Sequence, residues 1–281
     1  MKKILVCSIG SHRRRATLCF TAEVAKALSA ETMLLGVVSR KRQVEPLERA
    51  LVEVAQDLAG QGLPAHVRVE EGNAEAIVTA QMESTAYDLV AVGALGGNRS
   101  RRGLFNSVGM RIVEQAHGAV LLVKGERTSV SRVLISASAT ELGRASVQAG
   151  AALACGAGGS ATVLHVVDAM PAMYTGLEQM EETLVELLQS DSDTARELKW
   201  AAEQVKIGCV SSELKVRRGY AADEILREGQ EGDHDVIVLG SSRYVGSIVR
   251  VLMGDLTREV VGRAQRPVLV VPPAREATGS G

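Results

Sequence analysis

Short runs of aliphatic and β-branched residues recur along the chain, and stretches with apolar residues three or four positions apart lie between them. The runs are Ile4-Leu5-Val6, Leu34-Leu35-Gly36-Val37-Val38, Tyr87 to Gly93 and Ala119 to Val123, then Val133-Leu134-Ile135, Val163 to Val167, His234 to Gly240 and Pro267 to Val271. They are continuous rather than alternating, the pattern of parallel strands covered on both faces. Segments 22–28, 46–59 and 74–83 have helical spacing. Strand and helix in alternation predict an α/β fold with a doubly wound parallel sheet and right-handed crossovers. In such a sheet a ligand belongs at the carboxyl ends of the strands, where the strand order reverses.

The same pattern is written twice. Ile4-Leu5-Val6 matches Val133-Leu134-Ile135, and Leu34 to Val38 matches Val163 to Val167, both at an offset of 129. Gly72-Asn73-Ala74-Glu75 matches Gly219-Tyr220-Ala221-Ala222, and Tyr87 to Gly93 matches His234 to Gly240, at 147. The closing runs lie 148 apart, so the second copy holds 18 extra residues before Gly219. Two tandem domains follow, 1–126 and 130–274, the second with the longer middle segment. The extra residues fall around 171–206. Met180, Leu184, Leu187 and Leu188 suggest a lengthened amphipathic helix there, broken near Ser190-Asp191-Ser192-Asp193. Packing surface and a helix that docks a partner both remain open for it. The linker, Gly125 to Ser131, is too short for free motion, and each closing strand alone would be an exposed apolar edge. Pairing the two covers both, which predicts a pseudo-two-fold arrangement, an intramolecular pseudo-dimer.

Composition narrows the class. Apolar residues make up 46% and aromatics 2%, enough for a core of Val, Leu, Ile and Ala but not for aromatic stacking platforms. A formal net charge of −1 argues against a nucleic-acid binder. The opening Lys2-Lys3-Ile4 to Gly10 is too short for a signal peptide, and 145–167 is interrupted by Gly156-Ala157-Gly158-Gly159, so no membrane span is expected. Cys7, Cys19, Cys155 and Cys209 show no metal-ligand or CxxC spacing and are expected as buried reduced thiols. The expectation is a soluble, cytoplasmic chain.

Candidate chemistry concentrates after Gly93. The segment reads Gly93-Ala94-Leu95-Gly96, nine residues, then Asn106-Ser107-Val108. A strand ends at Gly93, glycines allow close backbone approach, and Ser107 can start a helix over 108–115. Free N–H groups and the positive helix end then favour phosphate. This spacing resembles the Gly-x2-Gly-x9-Gly-Ser/Thr loop of nucleotide-binding universal stress proteins. The resemblance, to the tandem form of that family, spans essentially the whole chain. It is carried also by Lys3 to Ser8, Leu164-His165-Val166-Val167-Asp168, Asp88 to Gly93, Asp235 to Gly240 and both closing strands.

The resemblance implies a cytoplasmic stress-response module that binds ATP or a related adenine nucleotide, with Mg²⁺ beside it, in the first domain. The implied nucleotide-binding residues are Gly10, Ser11, Val38, Gly93, Gly96, Gly97, Arg99, Asn106, Ser107 and Val108. Asn106 replaces the family's last glycine, and asparagine tolerates a positive φ. Ile9, and Ser138 in the second copy, stand where ATP-binding members carry an aspartate. In the second loop, Gly240-Ser241-Ser242-Arg243, an arginine replaces the second glycine, the spacing to Gly254 is one residue longer, and Asp255 replaces the hydroxyl residue. A carboxylate at that helix start would repel phosphate, so the second site reads as degenerate.

Residues 1–128 hold 17 Lys and Arg against 13 Asp and Glu, and the remainder 15 against 20. Arg13, Arg14 and Arg15 and Arg99, Arg101 and Arg102 fall on the same predicted sheet edge, where guanidinium forks suit phosphate oxygens. No Walker loop, GxGxxG, catalytic triad or metal spacing is found, and Asp233-His234-Asp235 reads as a loop. No catalytic residue is assigned, leaving at most a slow ATPase. The alternative is a scaffold that binds no nucleotide and acts through an unidentified protein partner. Pairing of two whole chains is left open.

Overall fold

The computed structural model describes residues 2–9, 14–93, 116, 118–138, 143–167, 184–207, 211–241 and 255–273. Among these residues ten strands form one sheet. The first copy supplies β1 (Lys3–Ile9), β2 (Glu31–Val38), β3 (Ala65–Glu71), β4 (Leu89–Gly93) and β5 (Ala119–Val123). The second supplies β6 (Arg132–Ser136), β7 (Ser160–Val167), β8 (Ser211–Arg218), β9 (Val236–Gly240) and β10 (Val268–Val271). The helices among the described residues are α1 (Arg14–Ala27), α2 (Val44–Gly60), α3 (Ala74–Ser84), α4 (Arg144–Gly156), α5 (Leu184–Gln189), α6 (Asp193–Lys206), α7 (Ala221–Glu231) and α8 (Asp255–Arg263).

Strand order is β3-β2-β1-β4-β5-β10-β9-β6-β7-β8. Every described pairing within a copy is parallel, and the one between copies, β5 with β10, is antiparallel. The closing strands therefore cover each other, as their apolar sequences require. β1 shows why the inner strands read as continuous runs. Ile4 and Val6 join one apolar cluster with Leu18, Leu47 and Leu51, while Leu5 and Cys7 join another with Val78. Both faces are dry. At the sheet's outer edges, β3 and β8 carry His66, Arg68 and Glu70, and Glu213, Lys215 and Arg217. Charge there discourages further strand addition.

Helix α1 begins at Arg14, well before the segment 22–28 that spacing predicts. Leu18, Ala22 and Ala25 are all buried and repeat at helical intervals, which extends the packed face toward the amino end. In the second copy, α5 ends at Gln189 and α6 starts at Asp193. Ser192 caps α6 by accepting the Ala195 N–H at 3.1 Å.

The linker is anchored along its length. Lys124 Nζ donates to the carbonyl of Val261 and, at 3.5 Å, to that of Ala264, at the carboxyl end of α8. Gly125 has φ +72° and runs so close to Gln265 that a Cβ would stand 2.4 Å from its carbonyl oxygen. Asp235 accepts the N–H groups of Ser131 (2.8 Å) and Arg132 (3.0 Å) and pairs with Arg127. The first copy repeats the device, since Asp88 accepts the N–H of Lys3 at 2.7 Å. A carboxylate at the start of the fourth strand thus secures the start of the first strand in both copies.

The cysteines divide. Cys7 is free and buried, and burial pushes its thiol up to about 12; Cys19 is free and half-buried. Cys155 corrects the expectation of reduced thiols throughout. It is disulfide-bonded, half-buried near the end of α4 rather than enclosed in the core, and its partner lies outside the described residues.

Candidate functional site

In the first copy the chain leaves β1 toward β2 on one side and later returns to β4 on the other, so the sheet's switch point lies between β1 and β4. Their carboxyl ends, Ile9 and Gly93, flank the crevice where such folds take ligands. Of the expected nucleotide-binding residues, the structure places two at this edge. Val38 ends β2 with 2% of its surface exposed, and its carbonyl accepts the N–H of Gly72 at 3.0 Å. Gly93 ends β4 opposite Val123 of β5. Gly10, Ser11, Gly96, Gly97, Arg99, Asn106, Ser107 and Val108 lie outside the described residues, as do the side chains of Arg13, Arg14 and Arg15.

Gly93 lacks a side chain for a local reason. A Cβ there would stand 3.1 Å from Thr17 Oγ1 and 3.2 Å from Thr17 Cγ2, on the first turns of α1. Thr17 and the Gly72-Asn73 turn are residues of this edge that sequence spacing does not reveal. Gly72 has φ +153°, and Asn73 caps α3 by accepting the Ala76 N–H at 3.1 Å. Ile9 is half-buried and packs on the apolar cluster around Leu5 and Cys7. It offers no polar group to a ribose.

The matching edge of the second copy differs in its hydrogen bonding. Ser146, the counterpart of Thr17, is buried and donates to the Gly143 carbonyl at 2.7 Å. A Cβ on Gly143 would stand 2.4 Å from Ser138 Oγ, so the backbone at Gly143 passes close to Ser138. Thr257 of α8 donates to the Gly240 carbonyl at 3.2 Å. Asp255 occupies the first turn of that helix. Ser241 Oγ is buried without a hydrogen-bond partner among the described residues.

The motif Asp233-His234-Asp235 has a structural use. Arg127 holds the Asp233 carboxyl below the usual carboxylate range. His234 Nδ1 lies 3.1 Å from the Glu228 carbonyl oxygen, and burial lowers its pKa. Among the described residues no cluster of His, Cys, Asp and Glu is placed to hold a metal, and no helix is long and apolar enough to cross a membrane. A cavity of about 780 Å³ opens at the opposite, amino end of the first copy's strands, between Lys2, Tyr87, Asp88 and Gly118 and the end of β10. It is remote from the switch point.

Fold and edge geometry together define a tandem doubly wound α/β protein with a glycine-ended strand at the switch point of each copy. The model of the universal stress protein family matches residues 1–124 and again 130–272, and the chain belongs to that family. It is 30% identical over 108 residues to a universal stress protein of Methanocaldococcus jannaschii, covering 38% of this chain and 62% of that one. A second, from Methanothermobacter thermautotrophicus, is 30% identical over 98 residues, covering 35% and 66%. The chain thus spans just under two thirds of the length of these curated relatives. A universal stress protein structure from Archaeoglobus fulgidus aligns with a TM-score of 0.66 at 20% identity, covering 97% of this chain and 96% of that one. That likeness establishes the fold.

Proposed function

We propose that the first copy binds an adenine nucleotide, ATP foremost, through its phosphates at the carboxyl edge between β1 and β4, with Mg²⁺ carried on the phosphates. The second copy is degenerate at this site. The observation that carries the reading is Gly93, which ends β4 at the switch point with no Cβ and opens directly into the glycine-rich segment. Backbone N–H groups of such a segment favour phosphate oxygens, and Gly96, Gly97, Arg99, Asn106, Ser107 and Val108 are the residues that would supply the remaining contacts, beside Gly10 and Ser11. Ile9 weakens ribose recognition, so base selectivity is low. The chain has no assigned catalytic residue and at most hydrolyses ATP slowly. It acts in the cytoplasm by presenting a ligand-dependent surface to a protein partner. Isothermal titration with ATP, ADP and cyclic dinucleotides tests this. Heat that disappears in an Arg99→Ala, Arg101→Ala double variant supports the site; no heat with any of the three sinks it.

The second reading, a scaffold that binds no nucleotide, is favoured by Ile9 packing into the apolar cluster rather than offering a carboxylate. Native mass spectrometry of the purified chain separates the two, by retained nucleotide or bare protein.

A further inference from the structure

We infer that Thr17 is a ligand-contacting hydroxyl of the first copy and that the commitment of its counterpart, Ser146, helps to silence the second. The inference rests on the nucleotide reading above and names a side chain for it. Thr17 and Ser146 occupy the same place in the repeat, 129 residues apart, on the equivalent helices α1 and α4. Each stands over the glycine that ends the fourth strand of its copy. A Cβ on Gly93 would meet Thr17 Oγ1 at 3.1 Å, and one on Gly240 would meet Ser146 Oγ at 3.6 Å. The two hydroxyls nevertheless differ in what they can do.

Ser146 is 1% exposed, and its hydroxyl is spent on the Gly143 carbonyl. Thr17 is half-buried, and among the described residues nothing donates to its Oγ1 or accepts from it. A helical threonine ordinarily back-bonds to a carbonyl three or four residues earlier. One turn later Thr21 does so, donating to the carbonyl of Thr17 at 2.8 Å. Among the described residues Thr17 Oγ1 thus keeps one donor and two acceptor sites at the carboxyl edge, beside the strand end where phosphate is expected. The ligand class is a phosphoanhydride or phosphoester oxygen. A hydroxyl donating to such an anion makes a short, charge-assisted bond.

Titration calorimetry of the full chain with MgATP decides the matter, using wild type, Thr17→Val, Thr17→Ser and Ser146→Ala. Thr17→Val keeps the shape and removes the hydroxyl, so its affinity falls by roughly tenfold or more. Thr17→Ser stays within about threefold of wild type, and Ser146→Ala leaves first-copy binding unchanged. Circular dichroism melts verify folding, and the serine variant keeps the test informative if valine perturbs α1. Wild-type binding with an unaltered Thr17→Val affinity overturns this inference and leaves the nucleotide site standing. A wild type that binds no nucleotide overturns both.

Discussion

Leu269 of β10 faces Leu121 of β5 across the antiparallel ladder, and the two hold the same position in the two copies. Val268 faces Leu122 and Val270 faces Val120, so the register is symmetric about that pair. The pseudo-dyad therefore passes through two leucines, 0% and 4% exposed. One consequence concerns the candidate sites. Because β5 and β10 run in opposite directions, the carboxyl edge of the first copy and that of the second lie on opposite sides of the sheet. No single small ligand can reach Gly93 and Gly240 together. Each copy must bind, or fail to bind, on its own residues.

The copies also meet through equivalent helices, α1 and α4. A Cβ on Gly156 would stand 1.9 Å from the carbonyl oxygen of Ala27, a backbone atom that cannot swing aside. Gly156→Ala is expected to destabilise the protein by about 2 kcal/mol, in the range of overpacked contacts. Gly60, at the end of α2, has nothing within 4 Å of its would-be Cβ. Gly60→Ala should be neutral or stabilising by up to about 1 kcal/mol through the unfolded chain. Urea unfolding midpoints of the two variants measure the contrast; equal midpoints would mean the helix contact is not as close as described.

Asp235 secures the linker and the start of β6 through two backbone N–H groups and Arg127, and it is 4% exposed. Its repeat partner Asp88 is exposed and holds one N–H group. Asp235→Ala should lose about 3 kcal/mol, because it removes two charge-assisted bonds to backbone N–H groups and one of the two carboxylates that Arg127 pairs with. Asp88→Ala should lose about 1 kcal/mol. Thermal melts of the two variants rank them directly, and the reverse ranking would refute this account of the linker.

Much of this architecture is legible in sequence for a physical reason. Strands buried on both faces, such as Lys3–Ile9, must be continuously apolar, and duplication repeats them at fixed offsets. The edge strands β3 and β8 are harder to see, because the exposed Arg68 and the half-exposed Arg217 interrupt the apolar run. Of the site, Gly93 follows from its place after a strand and Val38 from family resemblance. Thr17 does not, because its nearness to Gly93 is a contact through space between residues distant in sequence. The Cys155 disulfide is hidden likewise, since spacing cannot tell which thiols meet.

Lys124 gives the chain an alkaline signature. Burial lowers its pKa from 10.5 to about 8, and the groups facing its ammonium from α8 are the carbonyls of Val261 and Ala264. Between about pH 8 and 10.5 the unfolded chain binds this proton more tightly than the folded one. Stability from this group therefore rises with pH across that window, and the penalty for burying the charge is fully present below it. Lys26 and Lys215 oppose the trend, since their carboxylate partners raise their pKa values. The readout is accordingly the difference between wild type and Lys124→Met. Urea midpoints at pH 7 to 10 should show wild type gaining on the variant as pH rises, by on the order of 1 kcal/mol. A constant difference would show that Lys124 stays charged in the folded protein.

Ser241 tests whether the second edge holds anything. Its hydroxyl is buried immediately beyond β9 without a partner among the described residues, while its N–H donates to the Val271 carbonyl at 2.9 Å. A buried hydroxyl left unpaired is unfavourable by about 1–3 kcal/mol relative to an apolar group of similar shape. If the second copy is degenerate, Ser241→Ala removes that penalty. The purified protein should then melt at the same temperature or a few degrees higher, with MgATP titration heats unchanged. A drop in melting temperature together with a loss of nucleotide binding stoichiometry would mean that the hydroxyl faces a ligand. The second copy would then be a working site whose phosphate is held despite Asp255, and the assignment of binding to the first copy alone would fall.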